Sequence, residues 1–143
     1  MGILIVIATF IGMEAFSWAF HKYVMHGLLW NIHKTHHVHT KGLFELNDVF
    51  SLLFGTVAVI LIVLGANSFD YRFWMGVGIS SYGLAYFILH DVLIHKRIKG
   101  LKKARRGYLR AITIAHRDHH KSREKSDGVS FGLFVVPRKY FRN

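Results

Sequence analysis

The chain has 143 residues, 52% of them hydrophobic, with 19 Lys and Arg against 8 Asp and Glu and a formal charge of +11. It contains 11 histidines and no cysteine, which excludes a disulfide framework, a thiolate zinc site, an iron–sulfur cluster and a cysteine nucleophile. So much apolar chain argues against disorder and against a soluble nucleic-acid binder, and directs the positive charge to a membrane surface or an acidic partner.

In chain order, the first apolar block is residues 1–20, with Glu14 its one charge. It lacks the basic n-region and small-x-small cleavage pattern of a signal peptide, so a permanent membrane helix is expected. An ionisable group inside a span is costly and marks a functional position. Glu14 lies two turns before His21 on the same face, so it would support a metal site or line a channel; otherwise it finds a polar partner near the membrane edge. The pair His21 and His26 (H-x4-H) follows, then His33, His36 and His37 (H-x2-H-H).

The second block, 49–69, is 21 residues without a charge between Asp48 and Asp70. The third, 73–89, stays apolar through Val92, Leu93 and Ile94 and carries Gly76, Gly78, Ser80, Ser81 and Gly83, small residues that allow close helix approach in membranes. Each block is near the ~20 residues a bilayer-crossing helix needs, and too little polar chain remains to enclose three of them as a buried core. The expected fold is all-α: an integral membrane bundle of three or four spanning helices with a histidine-rich helical cap, in a single domain, 1–143.

His90 and His95 close the third block as a second H-x4-H, and His116, His119 and His120 form a second H-x2-H-H. Between them runs a basic stretch, Lys96, Arg97, Lys99, Lys102, Lys103, Arg105, Arg106 and Arg110, broken by Gly100 and Gly107. It suits anionic lipid headgroups first and an acidic electron carrier second. No aromatic interleaving accompanies it, which argues against nucleic acid. Residues 128–137 (GVSFGLFVVP) are too few to span, and read as re-entrant, interfacial or docked on the bundle. Parity puts residues 21–48 and everything from His90 onward on one side of the membrane. All the Lys and Arg except Arg72 fall there, which predicts the cytoplasmic side of a plasma or inner membrane.

Ten of the 11 histidines therefore collect at one membrane face, and only His39 stands outside the spacing. On a helix, positions i, i+3 and i+4 fall within about a 100° arc, so each H-x2-H-H presents three imidazoles on one face. In the last cluster that face is expected to run back through Ile112 and Leu109. H-x4-H is different, because five residues turn about 140° past one another on a regular helix. Both rings meet only near a helix end or a local bulge.

Imidazole is the commonest metal ligand, and ten converging rings without a metal would bury many polar atoms unpaired. Ten is awkward for four-coordinate structural zinc, but divides as about five for each of two metals with roughly one open position apiece. Open positions on redox metals are what oxygen activation requires. Glu45, Asp48, Asp91 and Asp118 lie in or beside the clusters, placed to accept ring N–H groups and fix tautomer and direction.

The strings IGMEAFSWAFHKYVMHG (11–27), HKTHH (33–37), KGLFELND (41–48), YGLAYFILHDVLIHKR (82–97), RRGYLR (105–110), AHRDHHK (115–121) and GVSFG (128–132) resemble the bacterial-type β-carotene 3-hydroxylase family, within the membrane di-iron hydroxylase and desaturase superfamily. The resemblance covers nearly the whole chain, and FELND, which contains Asn47, is more specific than the histidine spacing. It implies hydroxylation of carotenoid β-ionone rings at C3, from β-carotene through β-cryptoxanthin to zeaxanthin. It further implies two Fe(II) ions, O2 as co-substrate, a ferredoxin-type electron donor and a substrate drawn from the bilayer. The ligands it implies are His21, His26, His33, His36, His37, His90, His95, His116, His119 and His120. Another lipid hydroxylase, a desaturase or a carotenoid ketolase fits the same scaffold. A metal transporter is the alternative of a different class, although transport favours ligands near the bilayer midplane.

Overall fold

The computed structural model describes residues 1–38, 44–98, 104–121, 125 and 129–141. His39, Lys99, Gly100, Lys102, Lys103 and Gly128 lie outside these, so the readings made on them are not addressed by it.

Helix α1 (Gly2–Ala19) passes directly into a π-helical turn, Phe20–Leu28. Helix α2 (Trp30–His37) follows after a break at Gly27, then α3 (Asp48–Gly65) and α4 (Tyr71–Tyr86). Helix α4 also ends in a π turn, Phe87–Ile94, and α5 (Gly107–Lys121) and a short 3-10 turn (Arg138–Phe141) complete the order. No strand occurs among the described residues. Three of their helical stretches are long and apolar enough to cross a membrane: Gly2–Leu28, Asp48–Gly65 and Tyr71–Ile94. They expose large apolar side chains outward, among them Leu4, Ile11, Leu52, Val63 and Leu84. Apolar surface on all sides is what lipid solvates.

Helix α4 packs against both α1 and α3. Glycine makes both approaches possible: a Cβ on Gly76 would lie 2.7 Å from the carbonyl oxygen of Ala58 in α3, and one on Gly78 would lie 2.7 Å from Cβ of Thr9 in α1. The first span meets α3 instead through rings, with Phe20 of the π turn on Phe50 and Phe54 and Phe16 of α1 on Phe54. Helix α5 lies across the histidine end, its Ala111 and Ala115 covered by Tyr140. Ile112 is buried as expected, but Leu109 is 43% exposed. The apolar face of α5 is therefore shorter than its periodicity suggested, because the chain has only just entered the helix at Gly107. Residues 129–137 dock on the bundle, one of the three arrangements expected for them, with the Tyr108 hydroxyl donating to the Phe134 carbonyl at 2.6 Å.

Candidate metal centre

The first H-x4-H pair sits in one π turn, and the second begins in the other, with His95 at its C-cap. There the Leu29 N–H donates to the Val24 carbonyl and the His95 N–H to the His90 carbonyl, at 2.8 and 2.9 Å. These are i→i−5 bonds, and the widened turn brings residue i+5 back over residue i. Ring centroids of His21 and His26 are consequently 5.1 Å apart, and those of His90 and His95 are 4.5 Å apart. Of the two arrangements the spacing allowed, a helix end or a local bulge, the bulge is present in both places.

The ten histidines gather as two adjacent groups. His21, His26, His33, His37 and His119 form the first. His36, His95, His116 and His120 form the second, and His90 joins it with Nε2 at 3.1 Å from Nε2 of His36. Each group thus takes one H-x4-H pair and the i, i+4 members of one triplet. The remaining i+3 member crosses over: His36 of α2 joins the second group and His119 of α5 joins the first. His33 and His119 are the most enclosed, at 1% and 0% exposed.

Most of the inward geometry follows from what the outer nitrogens do. In the first group, Nδ1 of His21, His119 and His26 donates to the carbonyls of Phe131, Val129 and Lys125 at 2.8, 2.9 and 3.4 Å. His33 donates to Oδ1 of Asn47 at 2.7 Å. In the second group, His36 donates to Glu45 at 2.8 Å and His90 to Asp91 at 3.4 Å. With the proton on Nδ1, each Nε2 turns a lone pair inward. Yet Nε2 of His21 lies 2.9 Å from that of His33, His26 3.2 Å from His119, and His36 3.1 Å from His90. Lone pairs that close repel one another unless a cation sits between them. Two nitrogens each about 2.1 Å from one ion are about 3.0 Å apart at a right angle and about 3.4 Å apart at the tetrahedral angle. These closest pairs lie within reach of a shared ion, and the ligand nitrogens of each cluster all lie within 4.8 Å of one another, so the donor set fits metal binding.

Burial reinforces the same state. Desolvation, with repulsion from neighbouring rings, lowers the pKa of His33 and His95 to about 3 and of His119 to about 2. It also carries His36, His116 and His120 below the ordinary imidazole value. All six are neutral at pH 7 and available as ligands.

Behind the second group, one guanidinium holds three carboxylates. Arg97 contacts Glu45 at 2.8 Å, Asp48 at 2.7 Å and Asp91 at 3.1 Å. Burial pushes the Glu45 carboxyl above its ordinary value, opposed by Arg97. The Glu45 N–H also donates to Asp48 at 2.9 Å. Arg97 is thus a half-buried residue held by carboxylates rather than part of the basic surface its neighbours suggested. The signal for it was the trio of acids, not the run of bases. Lys96 takes a left-handed backbone (φ 60), and the reversal lets the Arg97 N–H bond the Asp91 carbonyl at 2.9 Å.

Asp118 is a correction: it pairs with Lys121 at 2.7 Å on the exposed side of α5 instead of backing a histidine. One step from His119 on an α-helix is about 100° away, which carries it off the ligand face. Glu14 finds its partners in Tyr82 and the backbone of Phe134 and Val135.

Two cavities adjoin the cluster. One of about 340 Å³ lies between α1, α3 and α4, walled by Phe16, Phe20, Phe50, Phe54 and Tyr86, and reaches His90. The other, about 230 Å³, is lined by His36, Glu45, His95, His116, Arg117 and His120.

A family model described as fatty acid hydroxylase matches residues 6–137, a range that takes in all ten histidines, Arg97 and the docked segment. The chain belongs to the fatty acid hydroxylase family. Among the relatives of this hydroxylase, a β-carotene hydroxylase of Pantoea ananas is 43% identical over 94% of the chain and 77% of the relative. One of Pseudescherichia vulneris is 45% identical over 95% and 77%. A chloroplastic β-carotene 3-hydroxylase 2 of Arabidopsis thaliana is 39% identical over 90% of the chain and 43% of the relative. No solved structure gives a significant match. The chain is accordingly a hydroxylating oxidoreductase, built on membrane-capable helices.

Proposed function

We propose that this hydroxylase converts β-carotene through β-cryptoxanthin to zeaxanthin, adding a hydroxyl at C3 of each β-ionone ring. The observation that carries this reading is the apolar cavity, lined by Phe16, Phe20, Phe50, Phe54 and Tyr86, that leads from within the bundle to His90. It offers an aromatic-walled slot for a hydrocarbon ring whose polyene remains in lipid, and the names of the relatives supply the substrate class. Ring and aromatic wall associate by apolar burial, and the fit selects which carbon faces the histidines.

The ten histidines would hold two Fe(II) ions, five to each. The chemistry two such ions supply when bound is reduction of O2 and oxidation of a C–H bond to C–OH. The protein's own contribution is to keep the Nε2 lone pairs aimed inward, keep the rings neutral, and exclude water with the phenylalanine wall. Electrons would come from a ferredoxin-type donor at the histidine end. Arg105, Arg106 and Arg117 give that end a surface for an acidic protein. The charge asymmetry favours the cytoplasmic side for it. Placement of the histidines at one end, rather than at mid-membrane, supports oxidation over metal transport.

The test is pigment analysis of a β-carotene-producing host that expresses the chain. Zeaxanthin is expected, and none is expected with His119→Ala. Membrane-inserted wild-type protein that yields only unmodified β-carotene, or a keto or desaturated product, overturns the assignment.

A further inference from the structure

A carboxylate within a membrane span needs a reason to be there. Glu14 of α1 accepts the Tyr82 hydroxyl of α4 on Oε2 at 2.8 Å. Its Oε1 accepts the N–H groups of Phe134 and Val135 at 2.8 and 3.0 Å. Those two amides belong to the docked segment, which has neither helix nor strand between Val129 and Pro137. In lipid such a segment needs acceptors for its N–H groups, and Glu14 provides one for two of them.

The same segment carries the acceptors for the first histidine group. The Val129 carbonyl receives the His119 Nδ1–H, and the Phe131 carbonyl receives that of His21, at 2.9 and 2.8 Å. Between them Ser130 has a left-handed backbone (φ 59), a conformation non-glycine residues keep only where their surroundings hold them. The fit of segment to carboxylate is close, since a Cβ on Gly132 would lie 2.8 Å from Oε1 of Glu14.

We infer that Glu14 is a positioning residue for one of the two metal sites: by clasping the amides of Phe134 and Val135, it sets the carbonyls that aim His21 and His119. The inference rests on the metal reading above. It also predicts selectivity, because the second group is backed by Glu45, Asp91 and Arg97 and takes none of these supports from the segment. The role is hydrogen-bond acceptance rather than charge. Glu14→Gln keeps an oxygen for the two amides and turns its NH2 to the Tyr82 oxygen. Glu14→Ala strands both amides in a low-dielectric setting.

The test uses the purified full chain in detergent, stripped of metal and titrated anaerobically with Co(II), reading bound metal and visible absorbance. Wild type and Glu14→Gln should each bind two ions. Glu14→Ala should bind one ion as wild type does and the second about 10- to 100-fold more weakly. Wild-type binding of both ions by Glu14→Ala overturns the inference. So does equal loss of both, or a glutamine variant that behaves like alanine. Should the alanine variant not reach the membrane, Gly132→Val decides, since its added side chain meets Oε1 of Glu14 and displaces it from the two amides. It must reproduce the selective loss, and normal binding of both ions there overturns the inference. A wild-type chain that binds no metal overturns the metal reading instead.

Discussion

In the first histidine group the outward ring protons go to three backbone carbonyls and an asparagine oxygen. In the second, those of His36 and His90 go to Glu45 and Asp91, carboxylates tied to one Arg97. The inner arrangement is nearly the same in both: an H-x4-H pair on a π turn, an i, i+4 pair on a helix, and one histidine from the opposite triplet. The outer partners differ in kind. Neutral carbonyls orient an imidazole without changing its charge environment much, whereas a carboxylate also strengthens it as a donor. Two ligand sets made from repeated sequence can thus be given different metal affinities by what stands one bond farther out. The second group should hold its ion more firmly, and the first should depend on the docking of residues 129–137.

The largest effect is expected at Arg97, whose side chain is only 17% exposed. Arg97→Met leaves three carboxylates clustered without their counter-charge, and in a partly buried ionic network that loss should fall below about 3–5 kcal/mol, the cost in a fully buried one. Denaturant unfolding in detergent should register that loss, and the ion of the second group should be released first. Release from the first group instead would contradict the assignment of Arg97. A gentler probe is Glu45→Gln, which preserves a hydrogen bond to His36 and removes the charge. Affinity at the second group should fall about tenfold with the first unaffected, as measured by competition with a chelator. Asp118→Ala should do least. Stability should change by no more than about 0.5 kcal/mol and bound metal should not change, because the Asp118–Lys121 pair is exposed.

Much of this was legible in the chain itself. Uncharged stretches between Asp48 and Asp70 and after Arg72 located spans, because lipid imposes a length and a composition. H-x4-H marked either a helix end or a bulge, since regular geometry holds its two rings about 140° apart. What the spacing left open was how the triplets divide. Three imidazoles on one helical face can serve one ion or two, and only the placement of α2 against α5 sends His36 and His119 across. Backbone carbonyls carry no side-chain signature, so the supports at Lys125, Val129 and Phe131 left no trace in composition. Arg97 was hidden for the opposite reason: its side chain looks like those of its basic neighbours, and burial alone distinguishes it. Asp118 misled because adjacency in sequence is not adjacency around a helix, while Asp91, equally adjacent to His90, folds back onto that ring from a π turn.

Iron content per chain, measured on purified, anaerobically loaded protein, tests most directly whether the ten histidines hold two ions in two separable groups. Two irons are predicted for the wild type, one for His119→Ala with the second group intact, and one for His116→Ala with the first intact. A single iron in the wild type, or loss of both from either substitution, would contradict it.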